Sequence, residues 1–359
     1  MSKKIKIVFF IATLNAGGAE RVTVTIIKKL SPEIFDIYLV LVKEIGPFVE
    51  DVPSHVEIID LNMNKTLFSI IKLRKILQNI QPSIVYSSLF RTHIAMDLAL
   101  IGLDKSINRI YRSPTSPKIL FSRDEMGYFM KKLITRAYSN ADKVLAQTPE
   151  MKKEISEYHD VDTSKVITFL NPIDTDMIDE KIENSLNPFD AKSINVVAAG
   201  RLSEVKGFDI LIDAFEKVLK KNNNFFLHII GRDAGEETKL KQLTKKLFIE
   251  NRVKFWGYQD NPFKFFFFSD LFVLSSRREG LPNAVLENIY IKKPIVATRC
   301  IPYMDRLIED GESGFLVDVE DSQSLANAIL SYKKLNIEKY NYMNKLIDVN
   351  KFFSNINSN

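Results

Sequence analysis

Two glutamates, Glu279 and Glu287, lie eight positions apart in EGLPNAVLE, around a Leu-Pro-Asn turn. The hydrophobic run Leu271 to Leu274 comes just before. The stretch therefore reads as a strand-to-helix turn, with Pro282 in the first turn of a helix from Asn283 to Ile291. The N–H groups at such a helix start can hold a phosphate. A carboxylate would repel that phosphate, so the two acids should flank the anion and serve another part of the ligand. Ionised carboxylates only accept hydrogen bonds, which suits hydroxyl-rich partners such as sugars. A molecule with a diphosphate in its middle and a hydroxylated ring at each end is a nucleotide sugar. One glutamate would hold its ribose and the other the sugar to be moved. The spacing alone is weak, because glutamate is common on solvated helix faces, and it is the context that lifts it.

Two cations support that context. Arg201 and Lys206 sit in GRLSEVKGFDIL, directly after an expected strand, where a loop leads into a helix. Cations beside helix-terminal N–H groups make a diphosphate site. Near the N-terminus, Gly17 and Gly18 in TLNAGGAER offer a close backbone approach to an anion, or simply a tight strand-to-helix turn. They do not form G-x-G-x-x-G, so a dinucleotide cofactor is disfavoured. The segment DTD at 174–176 looks like a metal-binding D-x-D, but it lies in a polar linker and not at a strand end. No Cys/His cluster offers a zinc site. No metal and no cofactor is therefore expected, and a nucleotide sugar would be a substrate.

These residues need a scaffold that brings strand ends together. Short β-rich runs alternate with helical patterns along the chain. Strands are expected near residues 6–11, 35–42, 56–61, 84–87, 109–111, 143–146 and 166–169, and again near 195–199, 226–230, 253–256, 271–274 and 294–298. Such alternation implies parallel sheets covered on both faces, and two series imply two Rossmann-like α/β domains. The boundaries read as 1–171 for the first domain, 172–193 for a polar linker, and 194–335 for the second domain. Residues 336–359 follow as a last helix and tail, the helix over 336–350 and FFSNINSN frayed. Ligands of such sheets bind outside the carboxyl ends of the strands, so the expected site is the cleft between the domains.

Bulk composition narrows the classes. At 359 residues the chain suits two domains. Its one cysteine, Cys300, excludes an intrachain disulfide and fits a reducing compartment. No run of 18 apolar residues suggests a membrane span, and the N-terminal MSKKIKIVFFIATL reads as a buried first strand and not a signal peptide. The net charge of +5 sits in the first half, with 24 Lys and Arg against 19 Asp and Glu in residues 1–175. That is too mild for nucleic-acid binding and is compatible with an anionic ligand or membrane surface.

Five motifs occur in order: GGAER at 17–21, ADKVLAQT at 141–148, GRLSEVKGFDIL at 200–211, SDLFVLSSRREGLPNAVLE at 269–287, and PIVATR with EDGESGFLV at 294–317. Together they resemble the retaining GT-B glycosyltransferases of the family-four type, also called group 1. The resemblance implies two Rossmann-like domains facing a central cleft, with the first binding the acceptor and the second the donor. It implies a C-terminal helix that returns to the first domain. It implies that Glu279 meets hydroxyls of the donor sugar and that Gly280, Leu281, Pro282 and Asn283 hold sugar and phosphate. Glu287 would bind the ribose, and Arg201 and Lys206 would neutralise the leaving diphosphate. Gly17 and Gly18 would face the phosphates or acceptor, and the backbone around Trp256, Gly257 and Tyr258 would meet the base. Many relatives carry a histidine after the strand near 109–111. Here the sequence reads IYRSPTSPK, which places Arg112 near the reacting sugar instead. The nearest upstream histidine, His93, reads as a cap or packing residue.

The expected reaction moves a sugar from a nucleoside diphosphate, UDP favoured over GDP, to a hydroxyl of a glycan or polyprenyl-linked glycan, as in bacterial surface polysaccharide assembly. The resemblance implies attack from the face that the leaving group departs. An epimerase on the same frame would need an acid/base pair that the sequence does not offer. A non-catalytic nucleotide-sugar-binding partner would not need Glu279, Glu287, Arg201 and Lys206 together. The stretch Lys118 to Ala137, KILFSRDEMGYFMKKLITRA, mixes basic and bulky apolar residues. It is a candidate peripheral contact with a membrane surface, which would place a cytoplasmic protein at the inner face of the membrane.

Overall fold

The computed structural model describes residues 4–15, 17–121, 128–190, 192–340 and 346–356. Its first strand, β1 (Ile5–Ile11), is the near-continuous apolar run IKIVFFI. Strands covered on both faces take that composition. Val8 and Phe10 point into one buried cluster, and Ile7, Phe9 and Ile11 into another on the opposite face. Around it lie β2 (Phe35–Leu41), β3 (Glu57–Asp60), β4 (Ile84–Ser88), β5 (Asn108–Ser113), β6 (Lys143–Ala146) and β7 (Val166–Thr168). They form one parallel sheet in the order β3-β2-β1-β4-β5-β6-β7. Helices Ile70–Ile80, Phe90–Ala99 and Tyr128–Ser139 cover the Val8 face. Helices Gly18–Lys29 and Val349–Ile356 cover the Ile7 face.

A second parallel sheet comprises β8 (Ile194–Ala199), β9 (Phe225–Ile230), β10 (Val253–Phe255), β11 (Leu271–Leu274), β12 (Ile295–Thr298) and β13 (Gly314–Val317). Its order is β10-β9-β8-β11-β12-β13. Val196, Ala198, Leu271 and Val273 pack there with helices Phe208–Lys221 and Ser322–Ser331. In both sheets the strand order reverses at one place, between β1 and β4 and between β8 and β11. Reversals of this kind open a crevice at the carboxyl ends of the two strands.

The chain divides into two compact units, residues 1–173 with 346–359 and residues 174–345. Residues 174–193 belong to the second unit. Helix Thr175–Glu183 forms there, and Asp174 caps it by accepting from the Met177 amide at 3.2 Å. The first aspartate of DTD is therefore occupied as a helix cap. The C-terminal part differs from the sequence reading. Of the range 336–350, residues 341–345 lie outside the described residues; Ile337–Lys339 makes a 3-10 turn, the helix found is Val349–Ile356, and Phe353 in the supposedly frayed tail is fully buried. Two of the three phenylalanine and isoleucine side chains that make it an apolar stripe, Phe353 and Ile356, lie three residues apart, as one helical face requires. Strand β13 is also additional to the expected set. Its GFLV is short, and Gly314 lies against the Ile295 carbonyl where a Cβ would clash.

Candidate functional site

The second unit brings its sequence-predicted residues to the reversal between β8 and β11. After β8 the chain passes Gly200, exposed Arg201 and buried Leu202, then makes a single 3-10 turn at Glu204–Lys206. Gly207 follows with φ of +61° and starts helix Phe208–Lys221. Only glycine fits there, for two reasons. The left-handed backbone is unfavourable for other residues, and a Cβ would run into the Ser275 carbonyl at the end of β11. The close approach of these two loops sets the geometry of the site.

Lys206 reaches across that approach. Its Nζ donates to Glu279 Oε1 at 2.6 Å, and Ser276 Oγ donates to the same oxygen at 2.7 Å. The lysine stem lies over Gly200, where a Cβ would sit about as close as 3.1 Å to it. Ser275 Oγ donates to the Lys206 carbonyl at 3.0 Å, and Thr298 Oγ1 donates to the Ser276 carbonyl at 2.6 Å. The pair is partly buried, with side-chain exposures of 22% for Lys206 and 13% for Glu279. Half-buried Cys300 is close by. Burial, with the Glu279 charge added, pushes its thiol up to about 12, so it stays protonated.

Arg277 fixes the two loops to each other, and the sequence reading overlooked it although it lies within SSRREG. Its NH1 and NH2 donate to the two carboxylate oxygens of Asp209 at 2.9 and 2.7 Å. NH1 also donates to the Glu204 carbonyl at 2.6 Å, and the backbone N–H of Arg277 donates to the Val205 carbonyl at 2.8 Å. Nε donates to Glu320 Oε1 at 2.5 Å. Hydrogen bonding to Asp209, then to Glu320, holds the Arg277 guanidinium well above its ordinary pKa. A bidentate arginine fork of this type defines position as well as charge. Both ends of the 204–206 turn are thereby tied to the segment that carries Glu279.

Downstream, Leu281 is buried and Pro282 stands at the N-cap of helix Asn283–Tyr290, one residue earlier than the first-turn position expected from sequence. Its carbonyl accepts from the Val285 and Leu286 amides at 3.0 and 3.3 Å. Glu287 is 6% exposed on the buried side of this helix, with Asn288 beside it fully buried. Among the described residues, Arg201 makes no side-chain hydrogen bond or ion pair, so its charge faces solvent at the carboxyl edge of β8.

The turn after β10 is held by an aromatic and histidine relay. Trp256 Nε1 donates to His228 Nδ1 at 3.1 Å, so His228 carries its proton on Nε2, 3.0 Å from Asn195 Oδ1. Burial, with nearby Lys254, lowers the His228 pKa to about 3. Phe189 and Phe265 pack against the same group, at 4.3 Å from His228 and 4.8 Å from Trp256. The indole of Trp256 is thus committed to packing, and the backbone at Gly257, with φ of +67°, and the exposed ring of Tyr258 are left at the rim.

The first unit treats its candidates differently. Gly17 immediately precedes helix Gly18–Lys29, and the Glu20 carboxylate folds over it so closely that a Cβ would collide. The helix start is a favourable place for an anion, and here its own glutamate is the anion. Gly17 itself has an extended backbone, and what lies over it is the movable end of the Glu20 side chain. Arg112 is 1% exposed, and its guanidinium donates to Asn171 Oδ1 at 2.6 Å and to Ser88 Oγ at 3.4 Å. It ties the end of β4 to the segment after β7. His93 is a packing residue, stacked on Tyr111 at 5.1 Å and hydrogen-bonded to Ser87 Oγ at 2.7 Å. Burial, partly offset by a hydrogen bond to the Arg112 backbone, lowers its pKa to about 3. Leu89, between β4 and helix Phe90–Ala99, holds a φ of +87° that a bulky side chain rarely adopts. Of the 118–137 stretch, residues 122–127 lie outside the described residues.

Comparison with known proteins bears on both units. Residues 16–177 match the family described as Glycosyltransferase Family 4, and residues 179–347 match Glycosyl transferases group 1. An uncharacterized glycosyltransferase of Methanocaldococcus jannaschii is 31% identical over 64% of this chain and 58% of its own length. The N-acetylgalactosamine-N,N'-diacetylbacillosaminyl-diphospho-undecaprenol 4-alpha-N-acetylgalactosaminyltransferase of Campylobacter jejuni is 25% identical over 95% of this chain and 93% of its own. Among solved structures, Alr3699/HepE of Anabaena in complex with UDP and glucose superposes with a TM-score of 0.78 at 20% identity, covering 99% of each chain.

Proposed function

We propose that this chain, which belongs to the group 1 glycosyltransferases of the GT-B fold, moves a sugar from a nucleoside diphosphate, UDP, to a hydroxyl of a lipid-linked glycan with retention at the anomeric carbon. The observation that carries the reading is the Lys206–Glu279 pair at the β8/β11 reversal, with exposed Arg201 on the same strand end. Negative charge grows on the departing diphosphate as the glycosidic bond breaks. A lysine and an arginine fixed before the reaction stabilise that charge more in the transition state than in the ground state. Glu279 aligns the ammonium and accepts from sugar hydroxyls, and Glu287 accepts from the ribose. With cations of the chain taking the charge, no metal is required.

The solved structure with UDP and the relative acting on a diphospho-undecaprenol substrate support the choice of donor and acceptor class. Retention is part of the proposed reading, on the resemblance of the motifs, with the acceptor arriving on the face that the diphosphate leaves. Peripheral contact with the inner face of the cytoplasmic membrane, through the 118–137 region, would bring the protein to such an acceptor.

Thermal unfolding with UDP, GDP and ADP tests the donor site. A ligand at about 100 times its dissociation constant adds roughly 2.7 kcal/mol. A response to UDP that is lost in Arg201→Ala plus Lys206→Ala is expected. Incubation with UDP-sugars and a polyprenyl-linked acceptor, followed by NMR of the new linkage, tests transfer and retention. A product of inverted configuration, or none across a full donor panel, would overturn the reading.

A further inference from the structure

Trp256 is the one tryptophan of the sequence, and a chain of hydrogen bonds across the second sheet sets its direction. The chain begins at Asn195, near the start of β8. Its Nδ2 donates to the Asp190 and Ser193 carbonyls at 3.3 and 2.9 Å, which leaves Oδ1 to face His228. His228 Nε2 therefore donates to that oxygen, at 3.0 Å, and Nδ1 keeps its lone pair. An acceptor at Nδ1 needs a donor opposite, and the indole N–H of Trp256 donates only. Each member dictates the polarity of the next, from the loop before β8 to the turn after β10.

Packing alone does not call for this arrangement. His228 stacks on Phe226 at 4.8 Å and lies 4.3 Å from Phe189, while Phe265 meets the Trp256 ring edge-on at 4.8 Å. An apolar side chain would fill the same space without the cost of burying an imidazole. What the hydrogen bonds add is orientation, and β10 needs it. That strand has three residues, stands at the edge of the sheet and is paired on one side only. Directly after it, Gly257 takes a φ of +67° with open space around it, and Tyr258 is exposed. Gln259 Nε2 donates back to the Trp256 carbonyl at 2.9 Å, so the turn closes on Trp256. The indole is the anchor of that turn.

Strand ends follow one another in the order β10-β9-β8-β11. Arg201 and Lys206 come after β8, and Glu279 after β11. A diphosphate held there sends one end of the donor towards Glu279 and the other over the ends of β9 and β10. Two strand spacings, about 10 Å, suffice for a nucleoside. We propose that His228 is a positioning residue for the donor: through Trp256 it fixes the turn 257–259 as the wall against which the base lies. The proposal rests on the reading of a nucleoside-diphosphate donor, and it adds a residue that itself touches no part of that donor.

Fluorescence of the sole tryptophan, beside titration calorimetry, tests this in the full chain. UDP should change the emission of Trp256 and inorganic pyrophosphate should not, because only the nucleoside reaches β10. His228→Leu takes away the acceptor for the indole and the donor to Asn195. It should expose Trp256 to quenching by acrylamide and weaken UDP about 10-fold, or about 1.4 kcal/mol. Its affinity for pyrophosphate should stay at the wild-type value. His228→Gln, whose amide carries one acceptor and one donor, should recover most of the UDP affinity. Trp256→Phe keeps an aromatic ring without the donor, and reads the same contact should His228→Leu not fold. It should weaken UDP to a similar degree, and adding His228→Leu to it should weaken UDP little further, since two partners of one contact do not add. A folded His228→Leu that binds UDP like wild type, a loss shared equally by UDP and pyrophosphate, or losses that add in the double variant would overturn the proposal. Wild-type protein that binds no nucleotide would sink the donor reading and this proposal with it, whereas a variant that fails against a binding wild type overturns the role of His228 alone.

Discussion

Lys206 Nζ stands 2.6 Å from Glu279 Oε1, although the two residues come from loops after different strands. The ammonium that should receive a phosphate is therefore already engaged by a carboxylate. A nucleotide entering the site must share it.

That sharing gives an asymmetric prediction. Lys206→Ala should lower the transfer rate about 10²–10³-fold, the usual loss when one donor to a developing charge is removed, and should weaken UDP binding. Glu279→Gln should lose transfer comparably yet bind UDP at least as tightly as wild type, because the ammonium is released for the phosphate. Titration calorimetry with UDP, beside initial rates, reads the difference. Weaker UDP binding in Glu279→Gln would show that the carboxylate orders the lysine and does not compete for it.

Arg277 touches neither partner of that pair and should still matter for rate. Its fork on Asp209 and its bond to the Glu204 carbonyl fix the turn bearing Lys206. Lysine cannot reproduce a bidentate fork. Arg277→Lys should reduce kcat about 10-fold or more with KM for the donor little changed, since a displacement of about 1 Å can cost up to 10²-fold. A rise in KM at unchanged kcat would assign Arg277 to binding and not to alignment.

Gly207 is a backbone test of the same junction. Its φ of +61° and the Ser275 carbonyl in the path of a Cβ make Gly207→Ala doubly unfavourable. A left-handed non-glycine residue alone costs roughly 1–2 kcal/mol, so denaturant unfolding should show a loss of at least about that size. Gly235, with a φ of +100° and open space around it, isolates the backbone part of the cost in Gly235→Ala.

Acid should unfold the protein earlier than its surface charges suggest. Burial lowers the pKa of His93 and His228 to about 3 and of His159 to about 4, from an ordinary 6.5. Each is neutral when folded and gains a proton when unfolded. The stability they contribute is complete above pH about 6.5 and is lost as pH falls towards 3–4. Each histidine removes about 1.4 kcal/mol per pH unit in that window. Unfolding midpoints between pH 7 and 5 should fall steeply, and His228→Gln should flatten the slope. An unchanged slope would place the acid sensitivity elsewhere.

Much of this architecture is legible in the chain because strands buried on both faces cannot hide their composition. Leu271–Leu274 and Lys143–Ala146 have the limits that their apolar runs suggest. Glu279, Lys206 and Arg201 stand on loops that follow strand ends, which the strand pattern of the sequence already locates. What stayed hidden depends on long-range contact. The partner of Arg112, Asn171, lies far along the sequence from it. Arg277 looks like one more surface charge until Asp209 and Glu204 are brought beside it.

The helix at 349–356 places Phe353 beside Phe9 and Tyr86, and Asn350 accepts from the Ser31 amide and donates to the Lys29 carbonyl. The first unit is thus assembled from the two ends of the sequence, with residues 174–345 made in between. Domains fold largely in the order they leave the ribosome. This one cannot close its core on that schedule. Its first 173 residues must wait, with the part of the Phe9 face that Phe353 covers left open, while residues 174–345 are synthesised. The unit translated first is therefore completed only after the second has been made, and the nascent chain carries a partly open apolar face for about half of its synthesis.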